Sequence, residues 1–210
     1  MTSRQSYITA YDDFSPSLYD RLHARFLRLS GGEGQSAVEG AITALLKPGL
    51  RVLDAGSGTG RLARRLLISE PDLDVTLLDF NPSLLQASRG LPVRRIHGDI
   101  TKIALADGQF DLTLALWAIE ASGDPTRAVC ELARVTKDGG YICLLFCSQR
   151  ENVDLIDRAV EWSIKRKRTG RFLEPAFFTN ALKAYGAESV RTLGCRGPVT
   201  AILARMGVRT

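Results

Sequence analysis

The run Asp54-Ala-Gly-Ser-Gly-Thr-Gly60 constrains this chain more than any other stretch. Val52 and Leu53 lead into it as the end of a short apolar strand. Arg61-Leu-Ala-Arg-Arg-Leu-Leu-Ile68 leaves it with apolar residues at helical spacing. A strand therefore runs into a tight turn, and the turn opens a helix. Glycine at 56, 58 and 60 permits positive φ and a close ligand approach. The helix start offers free N–H groups. So many glycines also cost backbone entropy that a plain structural turn has no need to spend. An α/β protein binds a nucleoside-containing cofactor at such a place. The sixth position of a dinucleotide fingerprint is Arg61 here rather than glycine, and no Gly-Lys-Ser/Thr ending follows. The turn suits a ligand edge without a pyrophosphate.

The flanking sequence alternates strand and helix. Short apolar strands are expected at about 50–55, at Val75 to Leu78 ending in Asp79, and at about 93–96, 110–116 and 141–147. Helices are expected at about 59–69, from Pro82, and at about 125–135, with Lys137-Asp-Gly-Gly140 turning into the fifth strand. That alternation is the signature of a parallel sheet covered on both faces. Before it, residues 1–18 read as an irregular arm. Tyr19 to Leu29 reads as a helix broken by Gly31-Gly-Glu-Gly34, and Gln35 to Lys47 as a second helix. After it come a long helix from Asn152 to Arg168, a helix from Pro175 to Ala184, and strands at 189–195 and 199–206 around a turn at Arg196-Gly-Pro198.

Two acids follow the glycine turn. Asp79 ends the second strand, where a carboxylate accepts both hydroxyls of a ribose; the alternative is a turn residue capping the helix at Pro82. Phe80 beside it is placed to lie against a flat ring. Asp99, with Ile100, follows the third strand and suits an adenine amino group, or else an Asx turn.

The ordered set resembles the class I S-adenosylmethionine-dependent methyltransferases. Asp54 to Gly60 is similar to their first motif, Asp79 to the acid on the ribose, and Asp99-Ile100 to the pair beside adenine. Phe110 to Trp117 is similar to the fourth strand and the lip of the active site, and Glu131 to Gly140 to the helix and double-glycine turn of small-molecule members. The resemblance covers about residues 35–206. It implies a Rossmann-like α/β fold: a seven-stranded mixed sheet with helices on both faces and the last strand antiparallel, inserted beside strand five. It implies an arm and cap helix at 1–34 and the cofactor-binding domain at 35–210. The implied cofactor is S-adenosyl-L-methionine, with S-adenosyl-L-homocysteine as product. Its site residues would be Asp54, Ala55, Gly56, Ser57, Gly58, Gly60, Asp79, Phe80, Asp99, Ile100 and Leu116.

For the acceptor side, Trp117 and Leu116 are expected to wall the methyl-transfer region. Glu120 is the expected proton-handling carboxylate, with a solvated loop carboxylate as the alternative. Tyr7, Tyr11 and Tyr19 suit a lid, Tyr11 being the expected acceptor contact; ordinary aromatic packing is the alternative. His23 sits four residues after Tyr19 and reads either as a pocket residue or as a surface or partly packed histidine. Among the families it resembles, those that modify DNA or protein side chains often carry an Asn/Asp-Pro-Pro-Tyr/Phe stretch after strand four, where this chain has Leu116-Trp-Ala-Ile119, which lowers amide or exocyclic-amine modification. A small-molecule oxygen or nitrogen is the expected acceptor. The alternatives are a lipid headgroup and a non-catalytic protein that keeps the fold.

Remaining features set bounds. Cys143 and Cys147 lie on one strand face without a histidine nearby, so buried thiols are expected and no metal. Four cysteines in this context do not make a disulfide scaffold. The basic run Lys165-Arg-Lys-Arg168 with Arg171 reads as a solvated helix end, with anionic membrane contact left open and nucleic acid disfavoured. The chain has 210 residues, net charge +5, no signal-peptide pattern and no long apolar span, which sets a cytoplasmic monomer or homodimer as the expectation.

Overall fold

The computed structural model describes residues 15–148, 171–194 and 198–208, with 155, 158, 159 and 162 between them. Its centre is a seven-stranded sheet in the order β3-β2-β1-β4-β5-β7-β6. The strands are β1 (Arg51–Ala55), β2 (Asp74–Asp79), β3 (Arg94–His97), β4 (Phe110–Leu116), β5 (Thr136–Cys147), β6 (Ala187–Leu193) and β7 (Val199–Met206). The first five are parallel. β7 lies between β5 and β6 and is antiparallel to both, as expected. The chain order reverses between β1 and β4, which opens a crevice at their carboxyl ends.

Side-chain alternation builds two cores. Leu53, Ala115, Ile142, Leu144 and Phe146 face one side of the sheet. There they meet α5 (Pro125–Val135) and α6 (Pro175–Ala184) through Val129, Leu132, Phe178 and Leu182. Val52, Leu112, Leu114, Cys143 and Leu145 face the other side. There they meet α2 (Gly32–Thr43) and α3 (Arg61–Ser69) through Val38, Ile42, Ala63 and Leu66. With helices on both faces, the inner strands bury both sides and read as near-continuous apolar runs, while the edge strands β3 and β6 stay polar and partly exposed.

Two expectations are corrected. Gly31-Gly-Glu-Gly34 does not break the helix: α1 (Pro16–Phe26) passes through a π turn (Leu27–Gly31) directly into α2. Packing overrides the low helix propensity of glycine. A Cβ at Gly31 would lie 2.6 Å from Phe26 Cε1 and 3.0 Å from Trp117 Cη2, so the missing side chain makes room for two rings. The boundary expected at 34/35 falls inside α2. Secondly, Lys137 to Gly140 belongs to β5, where Thr136 pairs with Phe110 and Tyr141 with Leu112 across a register shift. Most of the helix expected at 152–168, and the turn residues 196 and 197, lie outside the described residues; Leu155, Arg158, Ala159 and Trp162 are helical. Cys143 and Cys147 are buried, and burial pushes the Cys143 thiol up to about 12.

Candidate functional site

Two cavities meet at the carboxyl ends of β1 and β4. The first runs along Leu78, Asp79 and Phe80 at the end of β2 and Gly98, Asp99 and Ile100 after β3. The second is lined by Asp54, Ser57, Arg61 and Leu116 and by His23 and Gln35. Tyr19, Gly56 and Trp117 line both. At this junction Gly56 has φ of 78°, and a Cβ there would sit 2.3 Å from Ala118 Cβ. The turn can pass between the cavities only without a side chain.

Asp79 is tied to the glycine turn. One carboxylate oxygen accepts the Gly58 N–H at 2.7 Å, and the other accepts the Asn81 N–H at 2.9 Å. Burial raises its pKa, and these hydrogen bonds oppose that rise. The helix cap considered for Asp79 falls instead to Asn81, whose side chain accepts from Ser83 and Leu84 N–H at the start of α4 (Pro82–Ala87). Of the alternatives for Asp99, the Asx turn is present. It lines the first cavity and accepts the Thr101 N–H at 2.8 Å.

Asp54, the penultimate residue of β1, lines the second cavity. It is 3% exposed, and its Oδ2 has no hydrogen-bond partner. Burial, and then the nearby Asp79 charge, push its pKa up to about 7. The Ser57 hydroxyl is likewise without a partner. Ala55, Gly58 and Gly60 line neither of these cavities: Ala55 is core, Gly58 lies against Tyr19, and Gly60 packs against Ser88.

The amino-terminal helix closes over the turn. A Cβ on Gly58 would lie 3.1 Å from the Tyr19 hydroxyl oxygen, and Thr59 Oγ1 donates to Asp20 Oδ1 at 2.8 Å. Burial raises the Tyr19 phenol pKa, and the charges of Asp79, Asp20, Asp54 and Glu120 add to the rise. His23 stacks on Tyr19 with ring centroids 5.9 Å apart and meets the Trp117 ring edge-on at 6.3 Å. Burial, and then Arg61, lower its pKa to about 4, so the imidazole is neutral near pH 7.

Glu120 departs from the solvated alternative. It sits on a 3₁₀ turn (Ile119–Ala121), is 4% exposed, and accepts the Cys147 N–H at 3.3 Å while its Oε2 has no partner. Burial pushes its pKa up to about 7. It lines neither of the two cavities, because the turn rolls its side chain back toward the end of β5.

Trp117 shows the backbone anomaly. Its φ is 61°, the one positive value at a non-glycine residue among the described residues. Gln35, on α2, accepts its indole N–H at 2.6 Å and had no signal in the sequence beyond a polar position on a helix. Tyr7, Tyr11 and Lys165 to Arg168 lie outside the described residues; Arg171 donates to the Ser122 carbonyl at the rim of the first cavity. Among the described residues no cluster of three or more His, Cys, Asp or Glu could hold a metal, and no helix is long and apolar enough to cross a membrane.

Residues 53–144 match the family model described as a methyltransferase domain. The chain is 35% identical over 105 residues to the ubiquinone/menaquinone biosynthesis C-methyltransferase UbiE of Bdellovibrio bacteriovorus, covering 47% of this chain and 45% of that one. It is 32% identical over 139 residues to the malonyl-[acyl-carrier protein] O-methyltransferase of Pectobacterium atrosepticum, covering 65% and 54%. The chain thus spans about half the length of the curated relatives it matches. A solved S-adenosylmethionine-dependent methyltransferase from Thermotoga maritima shares the fold, with a TM-score of 0.70 at 20% identity over 94% of this chain and 98% of that one.

Proposed function

We propose that this chain, a class I S-adenosylmethionine-dependent methyltransferase by family, moves the methyl group of its cofactor to an oxygen or nitrogen of a small-molecule acceptor. The observation that carries this reading is the pair of cavities joined at Gly56, with a buried, unpartnered carboxylate oxygen of Asp54 in one and Asp79, Phe80 and Asp99 in the other. A nucleoside fits the first: Asp79 and Asp99 supply acceptors, and Phe80, Leu78 and Ile100 supply flat apolar walls. A cationic amine fits Asp54, whose free oxygen lacks a donor.

S-adenosylmethionine supplies a methyl group already activated on a sulfonium. The chain's own task is then to bind, orient and exclude water. Tyr19 and Trp117 wall the junction, and the Asp54 and Asp79 carboxyls lie one in each cavity beside it. Neutral His23 lines the second cavity and is the group placed to take a proton from an acceptor there, whereas Glu120 reaches neither cavity. A carbon acceptor is the second reading, favoured by the relative named a C-methyltransferase.

Calorimetry with S-adenosylhomocysteine tests the cofactor site, and saturable binding in the micromolar to low-millimolar range is expected. Incubation with ¹³C-methyl cofactor and a panel of phenols, quinols, amines and carboxylic acids, read by NMR, identifies the methylated atom. Folded protein without saturable binding ends the reading.

A further inference from the structure

We propose that Gln35 is a positioning residue of this site: it holds the Trp117 indole as the wall shared by the two cavities and so governs which acceptor fits. This rests on the methyl-transfer reading.

Trp117 leaves β4 with its N–H still in the ladder, donating to the Leu145 carbonyl at 2.7 Å, and then takes φ of 61°. A bulky residue keeps that conformation only where its surroundings over-determine it. Here they do. The indole N–H donates to Gln35 Oε1 at 2.6 Å, Phe26 meets the ring edge-on at 4.9 Å, and the far corner of the ring rests in the space left by Gly31. Phe26 and Gly31 supply shape; Gln35 alone supplies a directional bond.

The amide of Gln35 is itself fixed in orientation. It is 8% exposed, and its NH₂ donates to Glu39 Oε1, to which the Arg65 guanidinium also donates. The oxygen must then face the indole, which can only donate. Arg65 lies on α3, the helix opened by the glycine turn. A continuous polar chain, Trp117–Gln35–Glu39–Arg65, therefore ties the shared wall to the helix that the glycine turn opens. A residue that only filled space under the indole would not need an amide with both ends engaged.

Trp162 is the sole other tryptophan, so Trp162→Phe leaves Trp117 as a single fluorescent reporter. In that background Gln35→Met keeps length and removes both the acceptor for the indole and the donor to Glu39, while the exchange Gln35→Glu with Glu39→Gln keeps an acceptor for the indole and a donor between the two positions. Gln35→Met should red-shift the emission without any ligand and raise acrylamide quenching at least twofold; the exchanged pair should stay near the parent. S-adenosylhomocysteine should still bind Gln35→Met saturably, while the emission change it causes falls by half or more. The rank order of rates across the acceptor panel should change in Gln35→Met and persist in the exchanged pair. If Gln35→Met does not fold, Gln35→Asn, too short to reach the indole, takes its place. Parental emission and quenching in the variant lacking the acceptor would overturn the role of Gln35 alone. Folded parent that binds no S-adenosylhomocysteine would instead end the methyl-transfer reading and the site role with it.

Discussion

The Asp79 carboxylate accepts the Gly58 N–H at 2.7 Å, joining the acid at the end of β2 to the middle of the glycine turn. The two sequence features that point most strongly to a nucleoside are thus one mechanical unit. The second oxygen of Asp79 holds the Asn81 N–H and so sets the start of α4. A ligand that engages Asp79 meets a carboxylate already aimed by backbone.

Asp79→Ala should therefore weaken two things together. Hydrogen bonds to a charged group contribute about 1.5–3 kcal/mol each, so S-adenosylhomocysteine affinity should fall roughly tenfold or more by calorimetry. The melting temperature should fall as well, because Gly58 and Asn81 N–H lose their acceptor. Asp79→Asn keeps one acceptor oxygen and should lose less stability than affinity. Unchanged affinity in Asp79→Ala would remove Asp79 from the nucleoside site.

Gly56→Ala tests the junction. The added methyl would meet Ala118 Cβ at 2.3 Å on a backbone with φ of 78°. Overpacking and strain of this kind cost about 1–3 kcal/mol. The expected outcome is a lowered melting temperature, measured by circular dichroism, with loss of S-adenosylhomocysteine binding. Gly56→Ala paired with Ala118→Gly should recover part of the stability, because the second change removes the opposing methyl. No recovery would place the cost in backbone strain alone.

The glycine turn and the strands beside it were legible because apolar period and glycine spacing are local properties. Asp79 and Asp99 were legible as positions, yet the bonds from Asp79 to Gly58 and Asn81 were not, since backbone N–H partners leave no trace in residue identity. The misread break at Gly31 to Gly34 has the same root: a local propensity penalty is small beside the packing of Phe26 and Trp117 into the space at Gly31. Gln35 escaped notice, and His23 was left between pocket and surface, because a polar residue on a helix reads as a solvent face until the sheet is placed beneath it. The place of β7 between β5 and β6 came from the family resemblance rather than from any periodicity.

Glu120→Gln should reveal a buried acid. The folded-state pKa of Glu120 is raised to about 7 by burial, above its ordinary value. The folded protein therefore holds a proton that the unfolded chain releases. The stability tied to that proton is full below the unfolded pKa and is lost as pH rises through about 7. Gln keeps the acceptor for Cys147 N–H and has no charge to bury. Denaturant titrations should show Glu120→Gln more stable than the parent in mildly alkaline buffer by on the order of 1–3 kcal/mol, with the difference shrinking in mild acid. A difference independent of pH would mean that Glu120 is ionised throughout.

Asp54 extends the same physics to the ligand. Its carboxyl is raised to about 7 by burial and then by Asp79, so the ligand-free protein carries it largely protonated in mild acid. Its Oδ2 lacks a partner, and a cationic amine placed there would pull the equilibrium toward the carboxylate. Binding should then release a proton whenever Asp54 starts out protonated. Affinity for S-adenosylhomocysteine should rise with pH and level off once the free protein is itself ionised, by about tenfold between about pH 6 and about pH 8. Calorimetry in two buffers of different ionisation heat measures that proton directly. Asp54→Asn should bind more weakly than the parent above neutrality and lose both the proton release and the pH dependence. Because the variant buries no charge, it should not share the parent's fall in stability between the unfolded pKa and about 7. Weaker binding with the pH dependence intact would locate the titrating group elsewhere, with Asp79 and Glu120, both raised by burial, left to examine.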